Sequence, residues 1–150
     1  MIRLSQVQFE MTQNQLEEAV NTLLPPGFFV SAVHVTKHFV FCTVHAKAVK
    51  VDVKLEVALD EQAGQVIIRI HASKWFLSLD FVLMPLLKAI TSDERGIYGN
   101  GTNLWIDLHK LLHSHLDAQS FHLMLEEGSF TVLAKDVQLM FDSSEVASLL

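Results

Sequence analysis

Val49-Lys50-Val51-Asp52-Val53-Lys54-Leu55-Glu56-Val57-Ala58-Leu59-Asp60 sets an apolar side chain at every second position, against Lys50, Asp52, Lys54 and Glu56. Successive side chains of an extended strand point to opposite faces, so the stretch reads as a long strand with one apolar and one wet face. Asp60-Glu61-Gln62-Ala63-Gly64 follows as a turn. Val66, Ile68 and Ile70 resume the alternation, with Ile67, Arg69 and His71 on the other face. Connections this short join antiparallel neighbours. Val33, Val35, Phe39 and Phe41 carry the same period upstream, so the middle of the chain is an antiparallel meander.

Working outward, Ile2 and Leu4, then Val7, Phe9 and Met11, alternate in two registers, which predicts an opening strand with a bulge or a change of face. Thr12-Gln13-Asn14-Gln15 is a capping box, and Leu16, Ala19, Val20, Leu23 and Leu24 recur at helical spacing until Pro25-Pro26-Gly27 stops the helix. On the C-terminal side, residues 75–90 form an apolar block whose end, 85–90, reads as a helix with Pro85 near its start. Residues 91–102, with Gly96, Gly99 and Gly101, read as a loop. Asn103 then caps a predicted helix over 104–116. Phe121 to Leu125, Phe130 to Ala134 and Val137 to Phe141 read as three short strands joined by tight turns at Glu126-Glu127-Gly128-Ser129 and Lys135-Asp136. The expected fold class is therefore α+β, a curved antiparallel meander sheet wrapped on two to three helices, in a single domain over residues 1–150.

The 150-residue chain is 50% hydrophobic, 19% charged and carries a net charge of −6. A chain this long buries a sizeable core without a metal or disulfide staple. Disorder does not fit so apolar a composition, and nucleic-acid affinity does not fit so acidic a one, since that affinity comes mainly from Lys and Arg neutralising phosphates. The single cysteine, Cys42, forms no internal disulfide, the opening residues lack a secretory apolar run, and the block 75–90 is too short and too interrupted to span a bilayer. A cytoplasmic location is the expectation. Lys37, Lys47, Lys50 and Lys54 make the early sheet basic, whereas Glu126, Glu127, Asp136, Asp142 and Glu145 make the end of the chain acidic. Such charges most simply mark solvated faces.

Few residues carry a chemical signal. His109 and His113 stand four apart on the predicted helix 104–116, the spacing of a zinc dyad, but Lys110 occupies the place where a zincin has its glutamate, and no third ligand follows by spacing. They are the weak metal candidates; solvated flanks beside Trp105 are the simpler reading. His115 falls in the apolar arc of that helix, near its end, where an imidazole can bond a terminal carbonyl. His34, His38, His45 and His71 are sheet-face residues without an assigned role. Cys42, between Phe41 and Thr43, reads as a buried small apolar residue. The glycines of Gly96-Ile97-Tyr98-Gly99-Asn100-Gly101 match neither phosphate-binding fingerprint. No catalytic residue and no cofactor is expected.

The remaining feature is the apolar block itself, in which Trp75, Phe76, Phe81 and Met84 are the candidate walls of a ligand site. The block is core, subunit interface or groove for an apolar ligand. The run from the capped helix through Pro-Pro-Gly-Phe-Phe to the meander ending Val-Ile-Ile-Arg-Ile, with the later hairpin Leu123 to Val132, resembles the small tubular lipid-binding (TULIP-type) domains. That resemblance implies a long antiparallel sheet rolled around a helix, with lipid tails held in the seam. The functional expectation is a non-enzymatic binder of a lipid-like or other apolar ligand. The alternatives are a module that self-associates through its apolar patch as a homodimer and, last, a His-based metal hydrolase.

Overall fold

The computed structural model describes residues 2–72 and 84–140. Along the chain run β1 (Ile2–Thr12), α1 (Gln13–Leu23), β2 (Phe28–Val35), β3 (Phe39–Ala46), β4 (Val49–Asp60) and β5 (Gln65–Ala72). They are followed by α2 (Met84–Ile90), β6 (Ile97–Asn100), β7 (Asn103–Asp107), α3 (Leu108–Leu112), β8 (Leu116–Glu126) and β9 (Ser129–Leu139). The class is α+β with antiparallel pairing throughout: a six-stranded sheet in the order β2-β3-β4-β5-β7-β6 and a three-stranded sheet in the order β1-β9-β8. Neither sheet closes on itself among the described residues.

The quoted alternation is β4, and its apolar side continues across the larger sheet. Val40 pairs with Leu55 and Leu55 with Ile70, while Val57 pairs with Ile68 and Ile68 with Leu104. Leu16, Val20 and Leu24 of α1 and the buried Leu86 and Leu87 of α2 pack into the core on this face. A second core lies where the smaller sheet meets the larger, with Phe121, Ala134 and Val137 around Val66 and Leu108.

The change of face predicted in β1 runs through its whole sheet. One apolar row runs through 2, 4, 7, 9, 11 in β1, through 116, 118, 121, 123, 125 in β8 and through 130, 132, 134, 137, 139 in β9, so each row has one interval of three. At that level pairing skips Asp136, whose φ is +53°, together with Ser5 and Gln119 opposite it, and resumes in the same register. Ala118 and Phe121 are both buried, as are Ala134 and Val137, so the kink lets both halves of β8 and of β9 face one core.

The capping box at α1 forms as expected: the Gln15 amide donates to Thr12 Oγ1 (3.3 Å) and the Thr12 amide to Gln15 Oε1 (2.9 Å). The helix has a second working stripe at four-residue spacing. The Val35 amide donates to Gln13 Oε1 (3.3 Å), the Val33 amide to Glu17 Oε1 (3.2 Å) and the Val30 amide to Asn21 Oδ1 (2.7 Å). Asn21 Nδ2 returns a bond to the Val30 carbonyl (3.0 Å). Polar side chains of α1 thus take the place of a neighbouring strand along the edge of β2.

Three sequence expectations need correction. The helix predicted over 104–116 is instead β7 followed by the single turn α3. Leu104 and Ile106 fit period two as well as a helix, and β5 offers them a ladder in which they pair with Ile68 and Val66. Trp105 and Ile106 also favour strand, and tertiary pairing decides. Asp107, not Asn103, caps α3, accepting from the Lys110 amide at 3.2 Å. The loop expected at 91–102 contains β6, and the three short C-terminal strands are two long ones, with Lys135-Asp136 forming the kink inside β9 in place of a turn.

Candidate functional site

Of the four proposed wall residues, Trp75, Phe76 and Phe81 lie outside the described residues, and Met84 is the first residue of α2. Met84 is 40% exposed, although Leu86 and Leu87 of the same helix are buried. The contrast follows from helix geometry: Pro85 suits the first turn, where its missing N–H costs nothing, and the next two leucines point into the sheet. The Thr91 amide donates to the Leu87 carbonyl (3.0 Å) and its hydroxyl to the Lys88 carbonyl (3.3 Å), closing the helix.

An open cleft of about 530 Å³ lies between α2 and the β6–β7 hairpin. Met84, Pro85, Leu87, Lys88 and Thr91 form one wall, and the backbone from Gly99 to Gly101 forms the other. Gly99 permits this close approach, since a Cβ there would stand 3.0 Å from Thr91 Cγ2. The cleft thus has an apolar end at Met84, Pro85 and Leu87 and a cationic rim at Lys88. No salt bridge to Lys88 is present among the described residues.

A second depression, of about 430 Å³, lies over β2 to β5 and is lined by residues that include Phe41, Cys42, Thr43, Asp52, Lys54 and His71. Thr43 Oγ1 donates to Asp52 (2.8 Å), and Lys54 Nζ sits 4.2 Å from the centroid of Phe39. Burial, then the nearby carboxylates of Asp52 and Glu17, push the Cys42 thiol up to about 11. A thiol so placed stays protonated at neutral pH and is a poor nucleophile. One contact on the β2–β3 pair has no sequence signal: Ser31 Oγ lies 2.7 Å from His45 Nε2, with Phe29 stacked on the imidazole at 4.1 Å. Residues 31 and 45 become diagonal neighbours only through the β2–β3 register. Among the described residues no carboxylate hydrogen-bonds this ring, so the pair lacks the orienting third member of a nucleophilic triad.

His109 and His113 do not converge on a common point. His109 rests edge-on against Phe121, 5.1 Å between centroids, in contact with Gly64, while His113 caps the short α3 and its Nδ1 lies 3.1 Å from the Lys110 carbonyl. Among the described residues no cluster of three metal-ligating side chains forms. His115, expected in an apolar arc, is exposed because the helix ends before it. Lys110 donates to the Tyr98 hydroxyl (3.1 Å), an interaction that holds its ammonium above the ordinary lysine range.

Gly64 is buried under the His109 ring with φ +66°, and a Cβ there would fall 2.5 Å from that ring. Gly64→Ala is expected to lower unfolding free energy by about 1–2 kcal/mol for the left-handed backbone alone, and by more for the displaced ring. Urea denaturation measures it, and adding His109→Ala should remove only the second part. Equal losses in both backgrounds would rule out the ring contact.

No family model, curated protein or solved structure matches this chain. No helix among the described residues is long and apolar enough to cross a membrane.

Proposed function

We propose that the protein binds a small apolar or lipid-like molecule without transforming it, in the cleft between α2 and the β6–β7 hairpin. The observation that carries this reading is Met84. It leaves a large apolar side chain exposed at a concave surface whose neighbours Pro85 and Leu87 are also apolar. Ligand sites are typically concave and mostly apolar, with a few polar groups that orient the guest, and Lys88 and Thr91 are suited to that part. An amphiphile would lay its chain against Met84 and Leu87 and bring an anionic head to Lys88. The resemblance to tubular lipid-binding domains points the same way, and a curling of the larger sheet over α1 and α2 belongs to the same proposal.

Titrating the purified protein with a fluorescent long-chain fatty acid tests the reading. Saturable binding is expected, and Met84→Lys should weaken it roughly tenfold by placing a charge against the acyl chain. Mass spectrometry of a solvent extract should show a co-purified amphiphile. No saturable binding, or equal affinity in the variant, would refute this site.

A further inference from the structure

The strand edges of the two sheets are not equivalent. β2 has its edge occupied by Gln13, Glu17 and Asn21 of α1, and β6 is only four residues long. β1 and β8 are each eleven residues long, contain neither Pro nor Gly and pair with β9 on one side only, but Leu116, Ala118 and Phe121 of β8 are buried whereas no residue of β1 is. Among the described residues, no side chain hydrogen-bonds the backbone of Ile2 to Met11. Its core-side apolar row is also incompletely covered, with Ile2, Leu4 and Phe9 exposed at 42%, 40% and 42%. A long, uncovered edge is a template for another strand.

We propose that this edge takes a second copy of the same chain, β1 pairing antiparallel with its counterpart about a two-fold axis between Gln6 and Val7. Apart from the two residues that flank the axis, the sequence of β1 is complementary to its own reverse in this register. Arg3 and Glu10, the only charged residues of the strand, fall opposite each other, once on each side of the axis. Leu4 falls opposite Phe9 and Ile2 opposite Met11, all four belonging to the apolar row, while Ser5 meets Gln8 on the polar side. Beside the axis Gln6 falls opposite Val7, the one polar-to-apolar pair in the register, because the change of face at Ser5 lies opposite Gln8 of the mate.

Other registers lose this match. A slip of one residue sets apolar side chains against polar ones, because side chains alternate with period two. A slip of two sets Arg3 against Gln8 or Thr12 and leaves Glu10 without its cation. The proposed pairing joins two three-stranded sheets into one of six strands and has the isologous symmetry most common in homodimers. It does not depend on any ligand in the α2 cleft.

Sedimentation velocity of the full chain across micromolar concentrations tests the proposal. A dimer is expected for the wild type. Arg3→Glu and Glu10→Arg, both at exposed positions, should each weaken self-association about tenfold, since every dimer then holds two like-charge pairs in place of two opposite ones. An equimolar mixture of the two variants should restore the dimer, because a strand carrying Arg3→Glu is all acidic at these two positions and one carrying Glu10→Arg all basic, so both contacts regain opposite charges. The double variant alone should dimerise for the same reason. Circular dichroism checks that each variant is folded. A monomeric wild type, a dimer indifferent to both single substitutions, or folded variants that fail to recover on mixing would each overturn the proposal.

Discussion

Replacing Phe121 with alanine is expected to destabilise the protein by about 3–5 kcal/mol, the usual range for truncating a buried aromatic side chain. Phe121 is 1% exposed at the centre of the core shared by the two sheets, opposite Ala134 on β9, and its ring supports the edge-on His109. The small residue opposite matters. Ala134 leaves room for the phenyl ring and contributes few atoms that could close the resulting cavity. Equilibrium urea denaturation gives the value, and a loss below about 1 kcal/mol would mean that the site collapses freely, contrary to the packing described.

Asn21→Leu should be the next most damaging change, at about 2–3 kcal/mol, because one substitution removes partners from both the amide and the carbonyl of Val30. Leucine fits the helix well, so the loss reports on the β2 edge and not on α1 propensity. Hydrogen exchange provides the direct check: the Val30 amide should lose protection in the variant. Unchanged protection there would show that Asn21 does not guard the edge. The substitution also exposes part of a strand edge, and greater aggregation at high protein concentration is expected with it.

The elements that could be read from the sequence are those in which one periodicity had no competitor. β4 alternates over its whole length, and α1 has a cap, a stripe and a Pro-Pro stop; both formed as expected. The face change in β1 was also legible, although its counterparts in β8 and β9 were hidden by reading Lys135-Asp136 as a turn. The segment 104–116 misled because its leucines satisfy two periods. The choice between them was made by the unpaired edge of β5, which is remote in sequence.

The candidate cleft was legible only at Met84. Gly99 and Gly101 read as loop residues, yet Gly99 keeps one wall of the cleft bare beside Thr91. Ser31 and His45, fourteen residues apart, meet because the β2–β3 register makes them diagonal neighbours.

The sequence by itself determined the α+β class, the antiparallel meander and the capped first helix, since alternation, capping and turn chemistry act over a few neighbouring residues. It also contains the self-complementary order of charges in β1. Only the tertiary structure decided that β7 is a strand, that α1 seals the edge of β2, and that β1 is left with one edge unpaired. Each of these depends on which backbone groups are left without a partner after the sheets assemble, a property of the whole fold and not of any local stretch.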